Sequence, residues 1–308
     1  MKDQKGFSLL EIMISMALGL ILLGGVFDIL AVMTQIDHDV KGLANMKQNG
    51  EFASRFLERE IADAGYLGCL SLHQRANLGE HDIPLTIQGY AYGHLPSNIP
   101  KITATLVPDS DIFILHFMNP QSQRLATDAD AFEQILTLFS APDFKVGETV
   151  FVADCLHADR VRVSALEGVH VTVTLPHHTY QRGAELSEDK EIWFYVANTT
   201  RLDARGQPVT ALYRHDPQGQ DEELVADITR MHVAYGLASK TGELYFVSAS
   251  AVHDWQAVRA VRIRLLLASG EFMRTRIIPV HFDAHEIMPP DQQAYHEWEI
   301  VIGLANQL

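Results

Sequence analysis

Residues 5–27 read KGFSLLEIMISMALGLILLGGVF, and the position of one letter in this run decides how the rest of the chain is read. From Phe7 to Phe27 there are 21 residues, and Glu11 is the only charged one. A run of about 20 apolar residues is long enough to cross bilayer hydrocarbon as a helix. Lys2 and Lys5 precede it, which places the N-terminal side in the cytoplasm and the remainder outside. A carboxylate at membrane depth costs about 2.5–3.5 kcal/mol. A secretory leader accounts neither for Glu11 nor for a run that continues past Gly24 and Gly25 without an A-x-A-like cleavage site. A plain anchor leaves the glutamate without a purpose.

Lys5-Gly6-Phe7-Ser8-Leu9-Leu10-Glu11 resembles the processing site of type IV pilins and pseudopilins, the class III signal. In that family a membrane peptidase cuts after the glycine and methylates the new N-terminus. The resemblance implies cleavage after Gly6, an N-methylated Phe7, and a leader of residues 1–6. Glu11 then becomes the fifth residue of the mature chain, where the family keeps a glutamate. A carboxylate in a low-dielectric layer is tolerable when a cationic amine meets it. The amine implied is that of the mature Phe7, on the same subunit or on its neighbour in a filament.

After Phe27 the pattern stays helical and becomes amphipathic. Ile36, Val40, Leu43, Met46, Ala53, Phe56, Leu57 and Ile61 recur at spacings near three, four and seven, and Gly65 supplies a stop. This predicts one helix over 7–64, membrane-spanning over 7–33, ahead of a globular part over 65–308. Gly19, Gly24, Gly25, Gly42 and Gly50 each weaken a helix by about 1 kcal/mol relative to Ala. Close helix packing and local melting on assembly both account for them.

The stretch GEFASRFLEREIADAGYLGC, residues 50–69, narrows the resemblance to PilW-type minor pilins, although Glu51 stands where a basic residue is common. FVADCLHADRVRV, residues 151–163, is similar to a strand–Asp–Cys–strand stretch of the same family. The chain has two cysteines, Cys69 and Cys155. Outside the cytoplasm they are expected to form a disulfide, which closes a long loop and stabilises by about 4–5 kcal/mol in the loop-entropy model.

Past residue 70 apolar runs at 111–117, 148–153, 159–163, 168–175, 191–196, 231–237, 243–249, 257–268 and 271–281 predict strands, separated by turn residues such as Gly147, Gly168 and Gly242. Residues 80–110 carry four prolines and read as irregular, and 128–139 reads as a short helix. The fold class is α+β: a long N-terminal helix followed by an antiparallel-rich β domain. If 257–268 and 271–281 pair as a hairpin, Arg262, Arg264, Arg274 and Arg276 share one face. A solvated face paired with acidic residues is the simpler account; contact with DNA or an acidic partner is the other.

A net charge of −15 disfavours general nucleic-acid affinity. His177-His178, and His281 with His285, offer imidazoles without metal spacing. Asp128, Asp130 and Glu133, and more faintly Asp216 with Asp221, offer oxygens outside any D-x-D-x-D-G loop. No cofactor is expected, with calcium the one metal that the resemblance leaves open. Neither a nucleophile elbow, a P-loop nor a dinucleotide fingerprint is present, and the expectation is not an enzyme. What the resemblance implies is a minor pilin that primes pilus assembly near the tip. Its partners would be prepilin peptidase, other minor pilins, the major pilin and a large tip adhesin. Before assembly it would be a single-pass inner-membrane protein with a periplasmic domain, and afterwards part of a surface pilus. A J-like pseudopilin of type II secretion and a DNA-uptake receptor are the alternatives.

Overall fold

The computed structural model describes residues 9–70, 85–95, 102, 104–174, 176–217, 219, 221–239, 241–270 and 276–307. Helix α1 runs unbroken over Leu9–Asp63, roughly 80 Å at 1.5 Å per residue. Its buried residues are Gly42, Met46, Gly50, Ala53, Leu57 and Ile61, a stripe at the helical repeat that starts only where the globular part begins. Gly50 is required by contact: a Cβ there would lie 2.5 Å from the Trp298 ring. The helix stops at Gly65, which adopts φ 72°, and the Asn306 side chain donates to the carbonyls of Ala62 and Ala64 at 3.1 and 3.0 Å.

The strands are, in chain order, β1 (Ile87–Tyr90), β2 (Ile112–Met118), β3 (Gln123–Arg124), β4 (Ile135–Thr137), β5 (Thr149–Ala153) and β6 (Ala158–Glu167). Then come β7 (His170–Val173), β8 (Glu185–Leu202), β9 (Pro208–His215), β10 (Asp221–Ala226) and β11 (Ile228–Ala238). The last are β12 (Leu244–Ser248), β13 (Val258–Ala268), β14 (Val280–Phe282), β15 (His285–Ile287) and β16 (Tyr295–Gly303). All the strand pairs are antiparallel.

Two sheets clasp the second half of α1. One runs β1-β2-β8-β9-β10, and the other runs β12-β11-β13-β16. The chain passes between them at one residue, Asp227, at φ 61°. Its N–H donates to Thr210 and its carbonyl accepts from Ala268. Met46, Leu57 and Ile61 of α1 meet Phe113 and Phe194 from the first sheet and Val233, Ile263 and Leu265 from the second in one core. The part of the β11 edge that β12 leaves open is stitched by residues 110–111. Asp111 N–H donates to the Met231 carbonyl, and its carboxylate accepts from Val233 N–H at 2.9 Å.

Between β2 and the second half of β8 the chain builds something different. β8 pairs β5, β5 pairs β6, β6 pairs β7 and β7 pairs β4. The ring closes because β3 pairs β8 while Leu125 bridges Leu138, with Phe139 N–H donating to the Arg124 carbonyl. Leu125, Leu136, Val152, Val163, Val171 and Leu186 fill this small barrel, which has a core of its own.

Four sequence expectations change. Residues 128–139 are not a helix: Phe132 sits at φ 68°, and Leu136 and Leu138 point inward while Ile135 and Phe139 point out, a period of two. Residues 257–268 and 271–281 do not form a hairpin, because β13 is a central strand paired with β11 and β16. Part of the irregular stretch, 87–90, is strand β1. The strands β9, β10 and β16 were not expected.

Candidate functional site

Residues Gly6 and Phe7 lie outside the described residues, so the processing bond and the amine have no geometry here. Glu11 lies in the first turn of α1 and is exposed, as is almost every residue of the helix down to Asp39. Leu20, Ile21, Leu22 and Phe27 are each about two-thirds exposed or more, which leaves an apolar cylinder with none of the described residues packed over it. The helix is long and apolar enough to cross a membrane. Its hydroxyls suit that setting: Ser15 donates to the Ile12 carbonyl and Thr34 to the Leu30 carbonyl, both at 2.9 Å. A Cβ on Gly19, Gly24 or Gly25 would meet none of the described residues within 4 Å.

Where α1 ends, the chain is pinned to the barrel. Cys69 and Cys155 are joined by a disulfide, Cα atoms 4.7 Å apart across 86 residues. Leu67, Met118 and Phe151 share a small buried cluster that joins the end of α1 to β2 and β5. Gly65 N–H donates to the His116 carbonyl at 2.7 Å, and Met118 N–H to the Tyr66 carbonyl at 2.8 Å. Burial holds the His116 imidazole down to about 4; the charge of Asp189 opposes this and that of Arg160 adds to it.

The arginine face is not a free basic surface. Arg262 and Arg264 share the outer face of β13, but Arg264 bonds Asp283 and Glu299 and lies 3.5 Å from Glu297. The Arg262 guanidinium stacks 3.9 Å from the Phe246 centroid and 3.9 Å from Glu299. Arg276 is exposed and lies outside this sheet; Arg274 is outside the described residues. Burial favours the neutral form of Asp283, yet the hydrogen bond and charge of His232, with Arg264, hold its carboxyl below the usual range.

Most of the carboxylates singled out as metal candidates have hydrogen-bond or ion-pair partners within the fold. Asp159 accepts from the backbone N–H groups of His177 and His178 and faces His178 Nδ1 at 3.0 Å. Asp128 accepts from Arg182 N–H, and Glu133 from Asp130 N–H. Asp221 accepts from Tyr195 at 2.6 Å and faces His215, while Asp216 lies 3.6 Å from Lys190. His281 and His285 belong to the β14–β15 hairpin, where His285 Nδ1 faces the Asp283 carbonyl at 2.7 Å. Among the described residues no group of three or more His, Cys, Asp or Glu is placed to hold a metal ion.

Sequence reasoning missed Trp298, whose ring covers Gly50 and whose Nε1 donates to Ser54 Oγ at 2.8 Å. The alternation of Tyr295, Glu297 and Glu299 with its neighbours in β16 carried the signal.

Two family models match the chain. The prokaryotic N-terminal methylation motif matches residues 1–27, and type IV pilus-assembly protein W (PilW) matches residues 193–306. No curated protein and no solved structure matches it significantly. The PilW match begins in the second half of β8 and leaves the barrel out.

Proposed function

We propose, from the premise that this chain is a PilW-like pilin of the type IV pilus, that it is a minor structural subunit which primes pilus assembly and sits near the tip. The observation that carries this reading is the joining of two things in one molecule. A methylation motif leads into a bare apolar helix, and PilW-matched strands grip the other half of that helix. The match to a pilus-assembly family favours the pilus over a type II secretion pseudopilin. The pairing of Arg262 and Arg264 with acidic and aromatic neighbours counts against a DNA receptor.

In this reading prepilin peptidase cuts after Gly6 and methylates Phe7. Residues 7–33 then hold the subunit in the inner membrane, with the domain over 65–308 in the periplasm. Together with other minor pilins it offers major subunits a filament-like helical surface, which lowers the barrier to the first additions. A tip adhesin would sit on the same complex. No step calls for a catalytic group or a cofactor. Glu11 sets register, because an incoming Phe7 amine is stable in the low-dielectric layer only opposite a carboxylate.

The test is Glu11→Leu in cells that carry the whole pilus system. Membrane insertion should improve and cleavage at Gly6 should persist, as read by intact mass, while piliation and co-purification of other minor pilins fall. Normal pili and normal complexes from Glu11→Leu would overturn the charge-pair account. A mature chain that starts anywhere but Phe7 would overturn the processing account.

A further inference from the structure

One exposed apolar patch lies apart from α1, and the strand register shows which pole of the domain it occupies. Trp298 covers Gly50, and Asn306 reaches Ala62 and Ala64, so β16 runs in the same direction as α1. Tyr295 and its partner Ala268 therefore lie at the end where α1 leaves the domain toward its apolar half. Phe282 packs on Leu266, Ala268 and Tyr295, while the turn residue Asp283 reaches back to Arg264, farther from that end. Val280 pairs with Ile287, so the open end of the β14–β15 hairpin points the same way as the departing helix. At that open end Ile277, Ile278 and Met288 are 42%, 40% and 66% exposed, and exposed Arg276 adjoins them.

We infer that Arg276, Ile277, Ile278 and Met288 form a membrane-contact edge, seated on an anionic lipid surface while the subunit waits for assembly. This rests on the reading that α1 crosses the bilayer. The lipid is favoured as occupant by continuity with that helix and by reach. Gly42 is the first fully buried residue of α1. From Met33, the proposed end of the span, to Gly42 is roughly 14 Å of helix. The polar layer of a bilayer fills about 5–7 Å of that on one side. Extended chain from Phe282 back to Ile278 covers roughly 13 Å, enough to bridge the rest. Aliphatic side chains beside an arginine suit the boundary between headgroups and acyl chains. The contact would fix the rotation of the domain about α1, so that each waiting subunit presents one face to the next.

The experiment uses the full chain in nanodiscs, either zwitterionic or containing an anionic phospholipid, with one environment-sensitive fluorophore on Ile21→Cys, Val146→Cys or Met288→Cys. The Ile21 label should be quenched by acyl-chain spin-labelled lipid, and the exposed Val146 label by aqueous iodide. The Met288 label should be quenched by headgroup-level spin-labelled lipid. In anionic discs it should also be about threefold less open to iodide than the Val146 label. Arg276→Gln should erase the difference between the two lipid compositions. A Met288 label as open as the Val146 label, with Ile21 still in lipid, overturns the inference and leaves the helix reading intact. An Ile21 label outside the lipid overturns the helix reading itself. Shielding of Met288 that appears only with two or more copies per disc overturns the lipid assignment in favour of a subunit contact.

Discussion

The barrel and the layer wrapped on α1 share strand β8, yet they are stable for different reasons. The barrel closes its hydrogen-bond ladder on itself and fills its interior without a residue from α1. The α1 layer has open edges and a core in which the helix supplies the central stripe. One is a module that needs only its own strands; the other is a grip on a helix. The PilW match falls on the grip, which is the part the pilin architecture requires. What the barrel contributes must therefore be sought in how it is attached, by the chain leaving β2, by β8 and by the disulfide.

The largest expected effect comes from cutting that attachment. Changing Cys69 and Cys155 both to Ser should lower stability by about 4–5 kcal/mol, the loop-entropy figure for this closure. Denaturant unfolding of the full chain in detergent should then show the two regions parting into separate transitions. A single transition at an unchanged midpoint would show that the disulfide does not couple them. Next, Leu186→Ala in the barrel core should remove about 3–4 kcal/mol, within the range for buried leucines. Hydrogen exchange should speed in β4–β7 and stay slow in β11, β13 and β16. Leu57→Ala on α1 should do the reverse, and equal loss of protection everywhere in either variant would erase the distinction between the cores.

The smallest effect sits at the junction. The His116 imidazole is held down to about 4 by burial, from an ordinary value of 6.5. Its folded value lies below its unfolded one, so the unfolded chain binds the extra proton between those values. The stability associated with neutral His116 is complete above about pH 6.5 and is lost as pH falls toward 4, by roughly 3 kcal/mol at most. His116→Gln should flatten the unfolding midpoint over that window. An unaltered slope would place the acid sensitivity elsewhere.

The helix was legible because two local signals, an apolar run broken by Glu11 and then an amphipathic 3.6 repeat, cover its 55 residues. The core strands β2, β5, β11 and β13 were legible for the same reason, as compact apolar runs. Pairing was not. Sequence neighbours suggest hairpins, whereas β13 takes β16 across an intervening stretch that includes the β14–β15 hairpin. The misread helix at 128–139 shows why spacing can mislead: Phe132, Ile135 and Phe139 fall at helical intervals, but all three face solvent and the core takes Leu136 and Leu138. For the candidate site, residue types signalled Glu11 and the cysteine pair. The neutralisation of Arg262 and Arg264 depended on Glu297 and Glu299, which come into reach only through the β13–β16 register.

Strand β8 has a mechanical consequence. Its 18 residues span roughly 60 Å, with the barrel along Glu185–Glu188 and the α1 layer along the rest. A load applied between the barrel and α1 is shared by β8, by the chain leaving β2 and by the disulfide in parallel. Neighbouring strands lie side-on along β8, so tension along it shears many hydrogen bonds at once instead of peeling them singly. A subunit built this way yields late and all together.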